Sequence, residues 1–148
     1  MKATLWTFLA VGLLIAADEK NDDLAKKDVE KLQGEWTMES HEFNGEKSAE
    51  ENIKQYKRTV KGDHFTVVFG DKTVVEGTFT LDASKKPRTI DITLESGEAK
   101  GKKMLGLYEI DGDTYKVCLA APDIDRPNEF VSKPDSSHAV TVWKRVKK

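Results

Sequence analysis

The stretch KLQGEW, residues 31–36, decides how the rest of the chain is read. It follows a strongly charged segment, DEKNDDLAKKDVE at 18–30, and opens a region of different texture. From Gly34 onward, β-branched and aromatic residues recur in short runs punctuated by Gly, Asp and Asn. That is the pattern of strands joined by tight turns. Upstream, Leu24, Val29 and Leu32 keep only a weak helical spacing, which predicts a mobile polar leader ending in a short helical turn before Gly34.

Working outward from Gly34, strands are expected at 34–43, 57–61, 64–69, 73–81, 88–95, 102–110, 114–121 and 138–146. The connectors Asn44-Gly45, Gly62-Asp63, Gly70-Asp71 and Asp111-Gly112-Asp113 supply residues that tolerate positive φ. One helix is expected in SAEENIKQY (48–56), with Ser48 as N-cap and Glu51 at the capping-box spacing. An antiparallel meander leaves two raw edges unless it closes. Closure at eight strands gives a barrel whose interior holds side chains or one small ligand. The expected fold is therefore all-β: an eight-stranded antiparallel up-and-down barrel with one short helix. Alternation assigns Phe65, Val67 and Phe69 to the interior, together with Val75, Phe79 and Leu81, and with Ile90, Ile92 and Leu94. Tyr115, Val117 and Leu119 continue the set, and Val140 with Val142 completes it. The run KKMLGLYEI (102–110) is apolar on both faces and takes no side from periodicity alone.

The Gly-x-Trp of LQGEW, at the head of the first strand, resembles the opening of lipocalins and the wider calycin barrels. The resemblance implies that Trp36 closes the barrel floor and that a basic residue of the last strand lies across its indole. Gly34 and Trp36 stand at one end of this sequence, and Lys144-Arg145 of VTVWKRVKK at the other. Arg145 is the first choice for the stacked cation. A closer resemblance runs from Leu32 to Arg145. The succession LQGEW, DASKKPRTIDIT, KGKKMLGLYEIDGDTYKVCLA, RPNEF and VTVWKR is similar to a lipocalin-like domain family abundant in planctomycetes. It implies a calycin-type barrel, often exported, and carries no assigned activity or ligand.

The N-terminus bears on compartment. Lys2 precedes an apolar run from Leu5 to Ala17, which Asp18, Glu19 and Lys20 end abruptly. The run is short for a membrane span and has the layout of a secretory signal. Cleavage is expected after Ala17, giving a signal peptide at 1–17, a leader at 18–31 and a barrel domain at 32–148. No stable membrane anchor would remain, and the mature chain would be periplasmic or secreted. Loss of Lys2 moves the formal net charge from −2 to −3. Lysines and acids are interspersed, without the clustered basic face that nucleic-acid binding needs. The single cysteine, Cys118, leaves stability to packing rather than to an internal disulfide.

Residue patterns for chemistry are sparse. His41, His64 and His138 form no metal-ligand spacing, and no cofactor motif is present, so neither metal nor cofactor is expected. Cys118 has no local histidine, and Lys116 is its only nearby cation on the same face; a small buried hydrophobe is the plainer reading. The scattered carboxylates sit mostly in turns. Two features carry more weight. Gly77 and Gly106 lie inside strands, where glycine marks either a bend or a vacated pocket wall; Tyr108 lies on the same face as Gly106. The connection from Ala121 to His138 is long for a compact domain, and it contains Arg126 and Phe130 among three prolines. A lid over a cavity and a rigid plug share that composition. The ligand-binding candidates are thus Gly77, Gly106, Tyr108, Arg126 and Phe130, and no catalytic residue is assigned. Two functions lead, ahead of a weaker third, an enzyme using Tyr108, Arg126 or Cys118 in the cavity. The first is an exported binder of a small apolar or amphipathic molecule. The second is a cell-envelope protein-interaction module with a filled barrel.

Overall fold

A computed structural model describes residues 21–147 of the chain. The expected signal segment, residues 1–17, lies outside them. A helix, α1, covers 21–32 and leads into β1 (Gly34–Phe43). Then come β2 (Glu46–Lys47), α2 (Glu50–Ile53), β3 (Tyr56–Lys61), β4 (His64–Phe69) and β5 (Lys72–Asp82). The chain continues through β6 (Thr89–Leu94), β7 (Lys103–Asp111), β8 (Thr114–Ala120) and β9 (His138–Arg145). Strands β1 and β3 to β9 pair antiparallel in sequence order, and β9 returns to β1, so the barrel closes with eight strands. The two-residue β2 only extends the rim beside β1.

Each barrel strand lies within one residue of its expected bounds, because the turns are local chemistry. Asn44, Gly45, Gly62, Gly70 and Gly112 all take positive φ. Gly34 has φ +108°, a conformation that a side chain would strain, and it turns the chain from α1 into β1 so that Trp36 points inward. The core stacks Trp36, Phe65, Phe79, Ile90, Ile92 and Tyr115, each no more than 2% exposed.

Three expectations change. The polar stretch read as a leader is helix α1, docked on the barrel: Leu32 and Asp28 are buried and Val29 packs on the core. Helix α2 is a single turn capped at Ala49, without a side-chain hydrogen bond, so no Ser48–Glu51 capping box forms. The Ser48 N–H instead donates to the His41 carbonyl at 2.9 Å, continuing the β1–β2 pairing. Finally, Thr141 and Trp143 face inward on β9, not Val140 and Val142. Trp143 pairs with Tyr115 and Thr141 with Val117, and directly opposed residues share a face. Burying the Trp143 ring, 3% exposed, outweighs burying two valines.

The double-sided β7 is explained by the β8–β9 connection. Leu107 on its outer face is 2% exposed and pairs with Cys118, itself fully buried. The connection runs over this outer wall, and the Val131 carbonyl lies 3.9 Å from Cys118 Sγ.

Candidate functional site

The two barrel ends differ. At the first, α1 forms a floor plate. The Trp36 Nε1–H donates to the Leu32 carbonyl at 2.9 Å, and the Arg145 guanidinium carbon stands 4.3 Å above the indole. Arg145 also donates to the carbonyls of Gln33 (2.8 Å) and Lys31, and pairs with Asp113 at 3.3 Å. Those carbonyls lie at the C-terminal end of α1, which has no helical donors left for them. A cation there also interacts favourably with the negative end of the helix dipole. Gln33 fastens the same end to the β3–β4 turn, accepting from the Gly62 N–H at 2.7 Å and donating to its carbonyl at 2.8 Å. Lys144 is exposed on the opposite face of β9.

A second tie runs through Asp28, 1% exposed. Its carboxylate accepts from the Tyr108 hydroxyl at 2.7 Å and from Arg88 at 2.6 Å, with Lys31 at 3.6 Å. Burial, then the bond to Asp28, pushes the Tyr108 phenol far up. Such a phenol is a fixed donor.

Above the floor the barrel is not filled. Trp36 packs against Tyr115 with ring centroids 5.9 Å apart, and beyond Tyr115 a cavity of about 700 Å³ opens towards the other end. Its wall is apolar, built largely of Val67, Val75, Ile92, Met104, Val117 and Leu119. Ser48, Asn52 and Val74 line it too and are exposed, which puts the mouth between α2 and the start of β5. His41 and Thr141 also border it, 3.2 Å apart through Nδ1 and Oγ1. Burial pushes the His41 imidazole below its ordinary range.

At the base of the cavity lies Arg58, 3% exposed. Its guanidinium carbon is 4.4 Å from the Phe65 ring centroid, 5.3 Å from Tyr115 and 5.9 Å from Trp143. Among the described residues, no hydrogen-bond partner reaches Arg58 Nε or Nη2, the Tyr115 hydroxyl or Trp143 Nε1, all of them buried. Desolvation pushes the Arg58 guanidinium below the usual arginine range, with Tyr115 pulling the other way. Burial pushes the Tyr115 phenol up, opposed by Arg58.

None of the five ligand-binding candidates lines this cavity. Gly77 and Gly106 sit where neighbouring strands approach closely: a Cβ would clash with the Thr93 carbonyl oxygen in one case and the Cys118 carbonyl oxygen in the other. They serve backbone approach rather than a vacated wall. Tyr108 is held at the closed end by Asp28. Arg126 straps the long connection to the outer wall, donating to the carbonyls of Ile90 (3.1 Å) and Gly106 (2.9 Å) and pairing with Asp91. Phe130 lies on that wall, with Lys116 Nζ 5.3 Å from its ring. The connection is therefore an outer cladding, neither lid nor plug. Burial pushes the Cys118 thiol up, more than the Val131 and Lys116 contacts lower it, and a thiolate is disfavoured.

Arg58 and His41 are the site residues that sequence reasoning missed. Arg58 had a signal, since Tyr56, Arg58 and Val60 alternate on one strand face and place the charge among apolar neighbours. His41 had none: alternation from Trp36 and Met38 points Ser40 inward, and a bulge between Met38 and Ser40 turns His41 in instead. Comparison with protein-family models, with curated proteins and with solved structures finds no match to this chain.

Proposed function

We propose that the chain is an exported, lipocalin-like binding protein that holds one small amphipathic molecule inside its barrel. The observation that carries this reading is the cavity of about 700 Å³ with an apolar wall and a mouth at one end. Sites for small molecules are typically about 300–1,000 Å³ and mostly apolar, with few polar groups. The competing interaction module needs a filled barrel, and a cavity of this size counts against it. Export rests on Lys2 and the apolar run to Ala17, and membership of the lipocalin-like family on the motifs between Leu32 and Arg145. No catalytic step is assigned.

The test is uptake of a neutral fluorescent apolar probe by the purified protein. Saturable binding at one site is expected, weakened about tenfold or more by Val75→Phe, which fills the wall. Absence of uptake by the wild type would sink the cavity reading. N-terminal sequencing of natural material should begin near Asp18, and recovery of Met1 would overturn export.

A further inference from the structure

The base of the cavity carries chemistry that an apolar ligand would waste. Four donor atoms meet there: Arg58 Nε and Nη2, the Tyr115 hydroxyl and Trp143 Nε1, all buried and without acceptors among the described residues. Buried polar groups in folded proteins are nearly always paired, and an unpaired one disfavours the folded state. Arg58 and Trp143 line the cavity itself; Tyr115 does not, and its ring centre is 5.3 Å from the guanidinium carbon. The three rings around Arg58 compensate its charge weakly and offer no acceptor in the plane of the guanidinium.

We propose that Arg58, with Trp143, forms a head-group site for a carboxylate, and that the ligand is a single-chain carboxylate amphiphile whose tail runs up the apolar wall to the mouth. This rests on the reading of the cavity as a binding site and names what binds there. A planar carboxylate matches the guanidinium fork, and a charge-assisted bond is about twice as strong as a neutral one. One buried cation balances one negative charge; a doubly charged phosphate would bury an uncompensated charge, which is strongly disfavoured. No carboxylate of the chain reaches Arg58 among the described residues, so the counter-charge is left to the ligand. At roughly 30 Å³ per liquid-density position, the volume takes on the order of 20 non-hydrogen atoms, which suits a medium to long single chain. At the far end of the cavity Ser48 and Asn52 are exposed at the mouth, and His41 is paired with Thr141.

Three ligands with one chain and different heads decide the matter: dodecanoate, dodecanol and dodecylamine, titrated by calorimetry into delipidated protein at pH 8. Expected is binding of dodecanoate about 10–100-fold tighter than dodecanol, the worth of charge-assisted bonds over neutral ones. Dodecylamine should bind more weakly still. In Arg58→Met the preference for the acid over the alcohol should collapse to within about twofold. Trp143→Phe, which removes one donor and keeps an aromatic ring, should reduce that preference severalfold and serves if the first variant does not fold. Equal affinity for all three heads would overturn the carboxylate site while leaving the cavity reading intact. Binding of none would overturn both. Retention of the full acid preference in Arg58→Met would place the head group elsewhere and refute the assignment.

Discussion

Arg58→Met should make the ligand-free protein more stable, although it deletes a buried side chain with three aromatic contacts. Arg58 is 3% exposed, and its Nε and Nη2 have no acceptor among the described residues. Taking a guanidinium out of water costs several kcal/mol even after relaxation. The rings of Phe65, Tyr115 and Trp143, at 4.4, 5.3 and 5.9 Å, offset part of that. At about 0.5–2 kcal/mol each, with the nearest strongest, they contribute on the order of 3 kcal/mol together. Against a desolvation penalty of about 5 kcal/mol, the remaining deficit is about 2 kcal/mol, within the range gained when buried charges give way to apolar residues. Methionine keeps an unbranched stem that can settle against the same rings. Urea unfolding of ligand-free protein should therefore show a higher midpoint at unchanged slope. In a thermal scan about 2 kcal/mol corresponds to a rise on the order of 5–10 °C for a domain of this size. A loss of stability by 1 kcal/mol or more would refute the reasoning. The rings would then outweigh desolvation, Arg58 would be a structural member of the floor, and its unpaired donors would no longer argue for a ligand.

Trp36→Ala should cost about 3–5 kcal/mol, as for other buried large aromatics, and Arg145→Ala less. The two should be non-additive in a double-mutant cycle because the guanidinium lies 4.3 Å from the indole; strict additivity would show that the stacking carries no energy. Tyr108→Phe should lower stability by about 1–3 kcal/mol by removing a donor from buried Asp28, while leaving probe affinity within about twofold. A large change in affinity would mean that the two barrel ends communicate. His41, held below its ordinary pKa by burial, takes up a proton less readily in the folded protein than in the unfolded chain. Its contribution to stability is present above the unfolded value of about 6.5 and is lost as pH falls through the lowered folded value. Urea midpoints at pH 7.5 and 5 should thus differ more in the wild type than in His41→Gln, and equal differences would remove His41 as the source.

The barrel was legible because its information is local. Asn44-Gly45, Gly62-Asp63, Gly70-Asp71 and Gly112 set hairpins within a few residues of themselves, and the strands between them follow. What escaped depends on partners far along the chain. The docking of α1 rests on Asp28 meeting Tyr108, a contact invisible to any window around residue 28. The inward face of β9 was assigned from its two valines, but the pairing of Trp143 with Tyr115 settles it. The bulge that turns His41 inward leaves no residue signature. Two features of the sequence belong together. Strand β7 is apolar on both faces, and the connection after β8 is too long; the second covers the first, with Arg126 reaching the Gly106 carbonyl. The composition that suits a lid or a plug therefore serves as cladding. Arg58 escaped for a different reason: a charge in a strand reads as solvent-facing, and only its alternation with Tyr56 and Val60 says otherwise.

The two arginines on either side of the floor separate what holds the fold from what the fold is for. Arg145 and Arg58 both stand over aromatic rings, at 4.3 Å and 4.4 Å. Arg145 has acceptors at the C-terminal end of α1 and a carboxylate in Asp113. Every part of that environment is supplied by the chain, so the residue completes a structure. Arg58 has three rings of its own and none of the acceptors. Packing alone does not favour an arginine there, since methionine or leucine would fill the space without the desolvation penalty. On the proposed reading, a charge kept where it disfavours the empty protein is accounted for by a ligand that binds beside it, as with strain held at functional sites. The closed end can carry that deficit because the Asp28, Gln33 and Arg145 contacts tie α1 to three separate parts of the barrel. The polar pairing missing at Arg58 is thus balanced by surplus pairing one layer below it.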